Sequence, residues 1–573
     1  MAEQTAKDKA HQPSSEGSVK ETIESILVAF ILAFIFRAFV VEAFVIPTGS
    51  MGPTLMGAHF RFTCPDCGYQ FQENYSPPGQ DDTDIPAYAL RDKDVICPNC
   101  GYVIPRTQMV QTSDSRGDMQ WQPNPNDWSP VYFGDRILVL KYRYLFQSPQ
   151  PWDVVVFKSP FEKKRDPTDP KYPDNYIKRL IAGPGERVMI LDGDIYIGAA
   201  GMAPQQFKIR RKTASAQMAL WRDVFDNDYL PHGLNRGEFS TAWQEPWVSE
   251  GGAGWKGPRD AGDASRTFTF DNLHGESGIR FDSLADHGFL ADHGFDVLTD
   301  WLAYDQRGTG TPVSDLKLSC DYRRTAGNGP FTMQLTKRDD CFTLQFVAGK
   351  VALQRNKLVS ADPLQLGPAV WANPIEAPVP ELLSNRPVRI EFSNVDYRVF
   401  VRVNDREVLV TTDAQYKPDV SVLCHEASRA HSEGRESLSP RPIVRIAAAR
   451  QSCTIEHLRL AKDVYYLNFG RHLLPDGRTP SDEQYFGSPE NIMNLGPDEY
   501  FVLGDNSPVS LDARFWGAPV ALPREGNYHV LPGRVPGRFM LGKAFFVYWP
   551  AGYRPPSLPY GIEPDFGDMR FIR

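Results

Sequence analysis

At 573 residues the chain is too long for one ordinary domain, and 41% hydrophobic with 12% aromatic content is ample for several buried cores. A formal net charge of −9 argues against nucleic acid as the main partner. The 48 prolines and 45 glycines, spread throughout, favour short strands and turns over long helices, so a mainly β protein is expected.

Residues 1–18 are polar and lack an apolar period, which reads as a disordered tail. Ile23–Val41 follows, apolar on all sides except at Glu24, Ser25 and Arg37, and long enough to span a bilayer. Lys7, Lys9 and Lys20 precede it, while Val41–Phe60 holds no Lys or Arg. The positive-inside rule therefore predicts a single transmembrane helix over residues 19–43, with a cytoplasmic N-terminus and everything beyond it outside the cell membrane. A cleavable leader is the rival; no small-x-small site precedes Phe44. Directly after the span comes Phe44-Val-Ile-Pro-Thr-Gly-Ser50-Met-Gly-Pro-Thr-Leu55, a serine set among Gly and Pro as a nucleophile would be, within segment 44–60.

Segment 61–106 carries Cys64-Pro-Asp-Cys67-Gly and Cys97-Pro-Asn-Cys100-Gly. Two such knuckles offer four thiolates for a tetrahedral zinc ion, a zinc-ribbon-like insertion. Two disulfides are the competing reading. Four cysteine ligands leave no open position, so a metal here would be structural. A Pro/Asn/Asp-rich stretch, Thr107–Pro130, reads as a linker.

In segment 131–204 strands are expected at Gly134–Lys141, Pro151–Phe157 and Tyr176–Ile181, then a hairpin about Asp192-Gly193. Lys178 lies between apolar neighbours, where burial lowers an amine's pKa and suits it to act as a base. Segment 205–462 holds regularly spaced amphipathic stretches, among them Phe331–Leu335, Val388–Phe392 and Arg398–Val403, the pattern of an inserted antiparallel β-sandwich. Arg389–Val410 with Ile455–Leu460 looks like the concanavalin-type jelly roll of lectins and laminin-G modules; a glycan-binding or a plain docking role both remain open there. Cys320, Cys341, Cys424 and Cys453 lie inside it, with room for one or two disulfides. Segment 463–573 returns to strand-then-turn character at Glu499–Asn506 and ends with a strand at Gly542–Trp549.

Pro47–Leu55, Gly134-Asp-Arg-Ile-Leu-Val, Tyr176-Ile-Lys178-Arg-Leu-Ile-Ala-Gly-Pro-Gly-Glu186 and Gly504-Asp-Asn506…Ser510-Leu-Asp512-Ala-Arg514-Phe-Trp-Gly517 together resemble the bacterial type I signal peptidases, membrane-anchored serine proteases of the serine–lysine dyad class. The resemblance implies a signal-peptidase-type β catalytic domain. It makes Ser50 the nucleophile and Lys178 its general base. It puts the Ser50 N–H and the Thr48 hydroxyl in the oxyanion hole, Ser510 on the lysine amine, and Asp505, Asp512 and Arg514 beneath the site. No catalytic cofactor is implied. The implied partners are membrane lipid and precursors cut after small-x-small motifs, with Phe44, Val45 and Ile46 as an edge for the extended peptide. The alternative function is an inactive relative serving as a membrane scaffold or glycan binder through its sandwich.

Overall fold

The computed structural model describes the chain except for residues 1–14, 36–39, 76–84, 87, 114–118, 125–126, 161–173, 234–242, 259–265, 284–295, 348, 362–363, 384, 436, 468–484, 518–529 and 551–564. It is mainly β. Segments far apart in sequence build one antiparallel sheet in the order Val41–Val45, Arg136–Leu140, Met540–Trp549, Val154–Lys158, Asn175–Ala182, Glu499–Leu503, Val535–Pro536; Arg570–Phe571 adds to Met540–Trp549. Its central strands are near-continuously buried because both faces are covered. Val154 and Val156 enter one core with Met51, Leu55, Ile137 and Val139, while Val155 and Phe157 enter another with Leu180, Phe501 and Leu503. Alternate side chains of a strand leave on opposite faces, so these cores lie on the sheet's two sides.

The hairpin Glu186–Leu191 and Asp194–Ala199 turns on Asp192 and Gly193, with φ of 50° and 84°. That left-handed pair matches the twist of the flanking strands, which is why Asp-Gly marks such turns. Lys208–Ile209 extends this sheet, and helix Ala214–Leu220 packs Ala216 and Leu220 on the core that holds Leu180, Phe501 and Leu503.

The strands from Arg222 to Lys462 form one 14-stranded sheet among the described residues and share the largest apolar cluster. One long strand, Val444–Lys462, organises them. Its first part pairs with Phe331–Lys337 and its later part with Leu316–Gly327, with Arg450 at φ 48° between them; Phe268–Phe281 runs along the other edge. A helix the alternating pattern did not announce, Val420–Ser432, is capped by Asp419, whose carboxylate accepts from the N–H groups of Ser421 and Val422.

Three expectations need correction. The apolar tract expected to span a membrane is divided: Ser15–Ile35 is a helix, and Val41–Val45 is a strand paired with Arg136–Leu140 from Val41↔Leu140 to Val45↔Arg136. Val-Glu-Ala-Phe-Val suits a pleated edge, and an open sheet edge satisfies its backbone. Among the described residues no helix is long and apolar enough to cross a membrane. The disordered tail expected at 1–18 is helical at 15–18, within Ser15–Ile35, and residues 1–14 lie outside the described residues. Second, Thr107–Pro130 holds the paired strands Met109–Ser113 and Met119–Pro123 instead of a plain linker. Third, Cys320, Cys341, Cys424 and Cys453 are free thiols.

The hairpin, the strands from Arg222 to Lys462 and the segments on either side of them meet at a buried ionic cluster. Lys337 bonds Asp315 and, at 3.3 Å, Asp194; Lys212 reaches Asp396 at 2.5 Å and Asp463 at 2.7 Å. Removing one member strands buried charge. Lys337→Ala is expected to destabilise the protein by about 3–5 kcal/mol, measured as a lower urea midpoint at unchanged slope; an unshifted midpoint would refute it.

Candidate active site

Ser50 sits in a single 3-10 turn, Gly49–Met51, entered from an extended Thr48 (φ −119°, ψ 157°). Met51 anchors the turn by burying completely against the sheet. Thr48 is exposed and its side chain makes no capping bond to the turn, while Ser50 is half-buried.

Lys178 comes from the strand Asn175–Ala182, opposite Val155. Its Nζ lies 2.6 Å from Ser50 Oγ and donates to the Ile177 carbonyl at 3.1 Å. The side chain is 4% exposed. Burial lowers its pKa from 10.5 to about 8; the Asp512 and Asp505 carboxylates oppose this and Arg514 adds to it. Charged, this amine donates to the serine; uncharged, it accepts the serine's proton.

Both carboxylates are engaged elsewhere. Arg179 holds Asp505 through two bonds of 2.7 and 2.6 Å, and Arg514 holds Asp512 through two of 2.8 Å, all four side chains being fully buried. Asp512 also accepts from the Gly504 N–H at 2.9 Å, which fixes the turn after Glu499–Leu503. Asn506 reaches the nucleophile turn directly: its N–H donates to the Ser50 carbonyl at 3.2 Å and its Nδ2 to the Gly49 carbonyl at 2.9 Å.

Ser510 does not make the expected bond to the Lys178 amine. Its buried Oγ has no partner among the described residues, because the amine points to Ser50 and Ile177 instead. It stays close by: a methyl group on Gly504 would lie 2.1 Å from Ser510 Oγ and 2.5 Å from the Ser50 carbonyl, so only glycine fits between them. Ile46 also departs from expectation. It is 2% exposed and packs in the core, while Val45, 53% exposed, sits on the sheet's outer strand.

Sequence reasoning left Asp135 without a role. Its carboxylate accepts from the Met56 N–H at 3.1 Å and from Arg570 at 3.0 Å, pinning the chain that leaves the serine turn. The Gly-Asp pair preceding a strand was its only local signal.

The four knuckle cysteines converge. Cys64 and Cys100 sulfurs lie 3.6 Å apart, those of Cys67 and Cys97 3.7 Å, and all four are within 4.8 Å of one another and buried. A tetrahedral site with metal–sulfur bonds of about 2.3 Å has edges of roughly 3.7 Å, so the set can hold a metal ion. All four are free thiols, against the disulfide reading. The Gly68 and Gly101 N–H groups close the knuckles onto the Cys64 and Cys97 carbonyls, each at 2.9 Å. Asp194, Asp315 and Asp396 also cluster, but Lys337 pairs with the first two and Lys212 with the third.

A small acylating probe should label Ser50 at a rate that rises with pH through a midpoint near 8, the value of Lys178. Raising pH removes the proton that blocks the amine from accepting another. Intact-mass kinetics would show this, and a rate flat between pH 6 and 9 would contradict it.

The model of the family described as "Signal peptidase, peptidase S26" matches residues 19–74, 128–239 and 444–549. Over 82 residues the chain is 34% identical to thylakoidal processing peptidase 1, chloroplastic, of Arabidopsis thaliana, which is 13% of this chain and 22% of that protein; the match thus spans about a fifth of that curated relative. Similar solved structures include a carbohydrate binding module from Bacillus subtilis, at 10% identity, 38% coverage of this chain, 94% of that one and TM-score 0.21. Sheep galectin-11 gives 10%, 26%, 89% and 0.16. Scores this low support no conclusion about the insertion. Ser50, Lys178, Asp505, Ser510, Asp512 and Arg514 all lie within the three matched segments, and over those segments the chain is similar to signal peptidases, which supports a serine peptidase.

Proposed function

We propose that the protein is a serine endopeptidase that removes signal peptides by a Ser50–Lys178 dyad. The observation that carries this reading is the 2.6 Å approach of a buried, low-pKa amine to the serine hydroxyl. Uncharged Lys178 takes the Ser50 proton as Oγ attacks the scissile carbonyl, and the same ammonium then protonates the leaving amine. The Ser50 N–H and the Thr48 hydroxyl stabilise the tetrahedral oxyanion. Water, deprotonated by the amine in turn, releases the acyl chain and restores the serine. Asp505, Asp512 and Arg514 hold the surrounding loop, and the outer strand at Phe44–Val45 accepts the extended peptide by strand addition.

The substrates on this reading are precursors with small residues at the first and third positions before the cut. Helix Ser15–Ile35 supports a membrane location: Ile23, Ile26, Leu27, Phe30, Ile31 and Phe34 are between 49% and 68% exposed, and a lipid phase would cover them. The cysteine set we assign to structural zinc. An inactive scaffold has less in its favour, since the serine and the amine are in contact.

Purified full-length protein should cleave a precursor peptide bearing alanine at both positions. Ser50→Ala and Lys178→Ala should each lower kcat by at least about 10³-fold, followed by chromatography of the products. Cleavage that persists in Lys178→Ala would refute the dyad. Elemental analysis should return one zinc per chain, lost together with folding stability in Cys97→Ser; a full complement of zinc in that variant would refute the site.

A further inference from the structure

We propose that the sandwich insertion supplies two positioning residues, Tyr304 and Asp305, which fix the peptide unit that carries the Ser50 N–H. The proposal rests on reading Ser50 as the nucleophile.

Tyr304 and Asp305 lie in a loop, Trp301–Arg307, that closes on itself through the Leu302 and Arg307 backbones. Nothing in the sequence joins this loop to residue 50, yet it sits directly against the serine turn. The Tyr304 ring occupies the space left by the two glycines flanking Ser50-Met51. A methyl group on Gly49 would lie 2.8 Å from the ring, and one on Gly52 would lie 2.2 Å from it. The phenol oxygen accepts from the Gly57 N–H at 3.2 Å, and the Tyr304 carbonyl accepts from the Asn74 N–H at 2.6 Å. Tyr304 is 2% exposed, so the contact is a packed one.

Asp305 acts one bond further along. Its carboxylate accepts from Asn506 Nδ2 on one oxygen and from Asn74 Nδ2 at 2.9 Å on the other. Asn506 Nδ2 is the group that also donates to the Gly49 carbonyl. An amide nitrogen has two protons, and here each has one acceptor, so Asp305 decides which way the Asn506 amide faces. A flipped amide would turn its oxygen toward both the carboxylate and the Gly49 carbonyl, three acceptors with no donor.

The consequence follows from peptide geometry. In a trans peptide the carbonyl and the next N–H point in opposite directions within one plane. Holding the Gly49 carbonyl on the Asn506 side therefore aims the Ser50 N–H to the other side. An oxyanion donor contributes only when it is aimed before charge develops. The cysteine-bearing insertion braces the same loop: Lys93 Nζ donates to the Asp305 carbonyl at 3.0 Å, and Ile96 and Gln306 exchange two bonds of 2.8 and 3.2 Å.

Near-isosteric variants test this in the full-length protein. Asp305→Asn should lower kcat for the precursor peptide by about 10- to 100-fold, with KM within twofold and the pH midpoint near 8 retained. A peptide aldehyde, which forms a tetrahedral adduct on the serine, should lose affinity in the same proportion, while the cleaved product peptide binds as before. Tyr304→Phe keeps the ring and loses one acceptor, with an expected fall of several-fold in kcat; it carries the comparison if Asp305→Asn fails to fold. Either variant folded, by circular dichroism, with unaltered kcat and aldehyde affinity would overturn the proposal alone. Equal losses of aldehyde and product binding would overturn it in favour of a general packing role. Absence of cleavage by the unaltered protein would overturn the reading of Ser50 as well.

Discussion

An amine kept out of water without a counter-charge is the constraint on which this site depends. Lys178 is surrounded by groups that could hold it as an ammonium, for Asp505 and Asp512 both act on it electrostatically. Each carboxylate is instead closed into a two-bond pair with its own arginine, Arg179 or Arg514. The nearest atoms to the amine are then a hydroxyl and a backbone carbonyl, neither of which carries charge. Burial costs the ammonium more than those dipoles return, and the pKa falls toward the range where a base can work. The two arginine pairs do more than stiffen a loop: they withhold from the lysine the charge that would raise its pKa.

That arrangement needs a rigid frame, since the same groups moved by an ångström would pair differently. Three parts of the chain supply the frame. Central strands fix Lys178 and the turn at Gly504, while the turn at Ser50 is tied to Asn506 and to the Asp135–Arg570 pair. The insertions are welded onto this core. The larger insertion joins the hairpin about Asp192-Gly193 through Lys337 and its carboxylates, and it meets the cysteine-bearing segment through Gln306 and Ile96. Buried ionic clusters of this kind add little net stability compared with apolar packing, but they tolerate few alternative arrangements.

The strands, the serine turn, the lysine strand and the four cysteines were legible because each is a local pattern: alternation, Gly-Pro punctuation, or C-x-x-C-G. Asp192-Gly193 turned as its φ requirement dictates. What failed was decided by partners distant in sequence. Val41–Val45 continues an apolar run, yet Arg136–Leu140 offers it a ladder and makes it a strand. Thr107–Pro130 looked like a linker through its Pro and Asn, while the alternation inside it forms a hairpin. Ile46 followed two residues of the exposed outer strand and was read with them, although the pleat sends it into the core. Tyr304 and Asp305 had no signal at all, since their meaning lies in glycines some 250 positions away, a separation visible only in the folded chain.

The placement of the serine turn also bears on how a peptide would reach it. The outermost strand of the Lys178-bearing sheet, Val41–Val45, is an edge among the described residues and leads within a few residues into Thr48 and Ser50. A chain adding to that edge is held by main-chain bonds that are indifferent to side-chain identity. Discrimination must then come from the space beside Ser50, which is bounded by rigid groups: a packed Met51, an immobile Gly504 and the tyrosine ring behind Gly49 and Gly52. Walls that cannot retreat reject a bulky residue more sharply than they reward a small one, because overpacking is opposed by the whole frame.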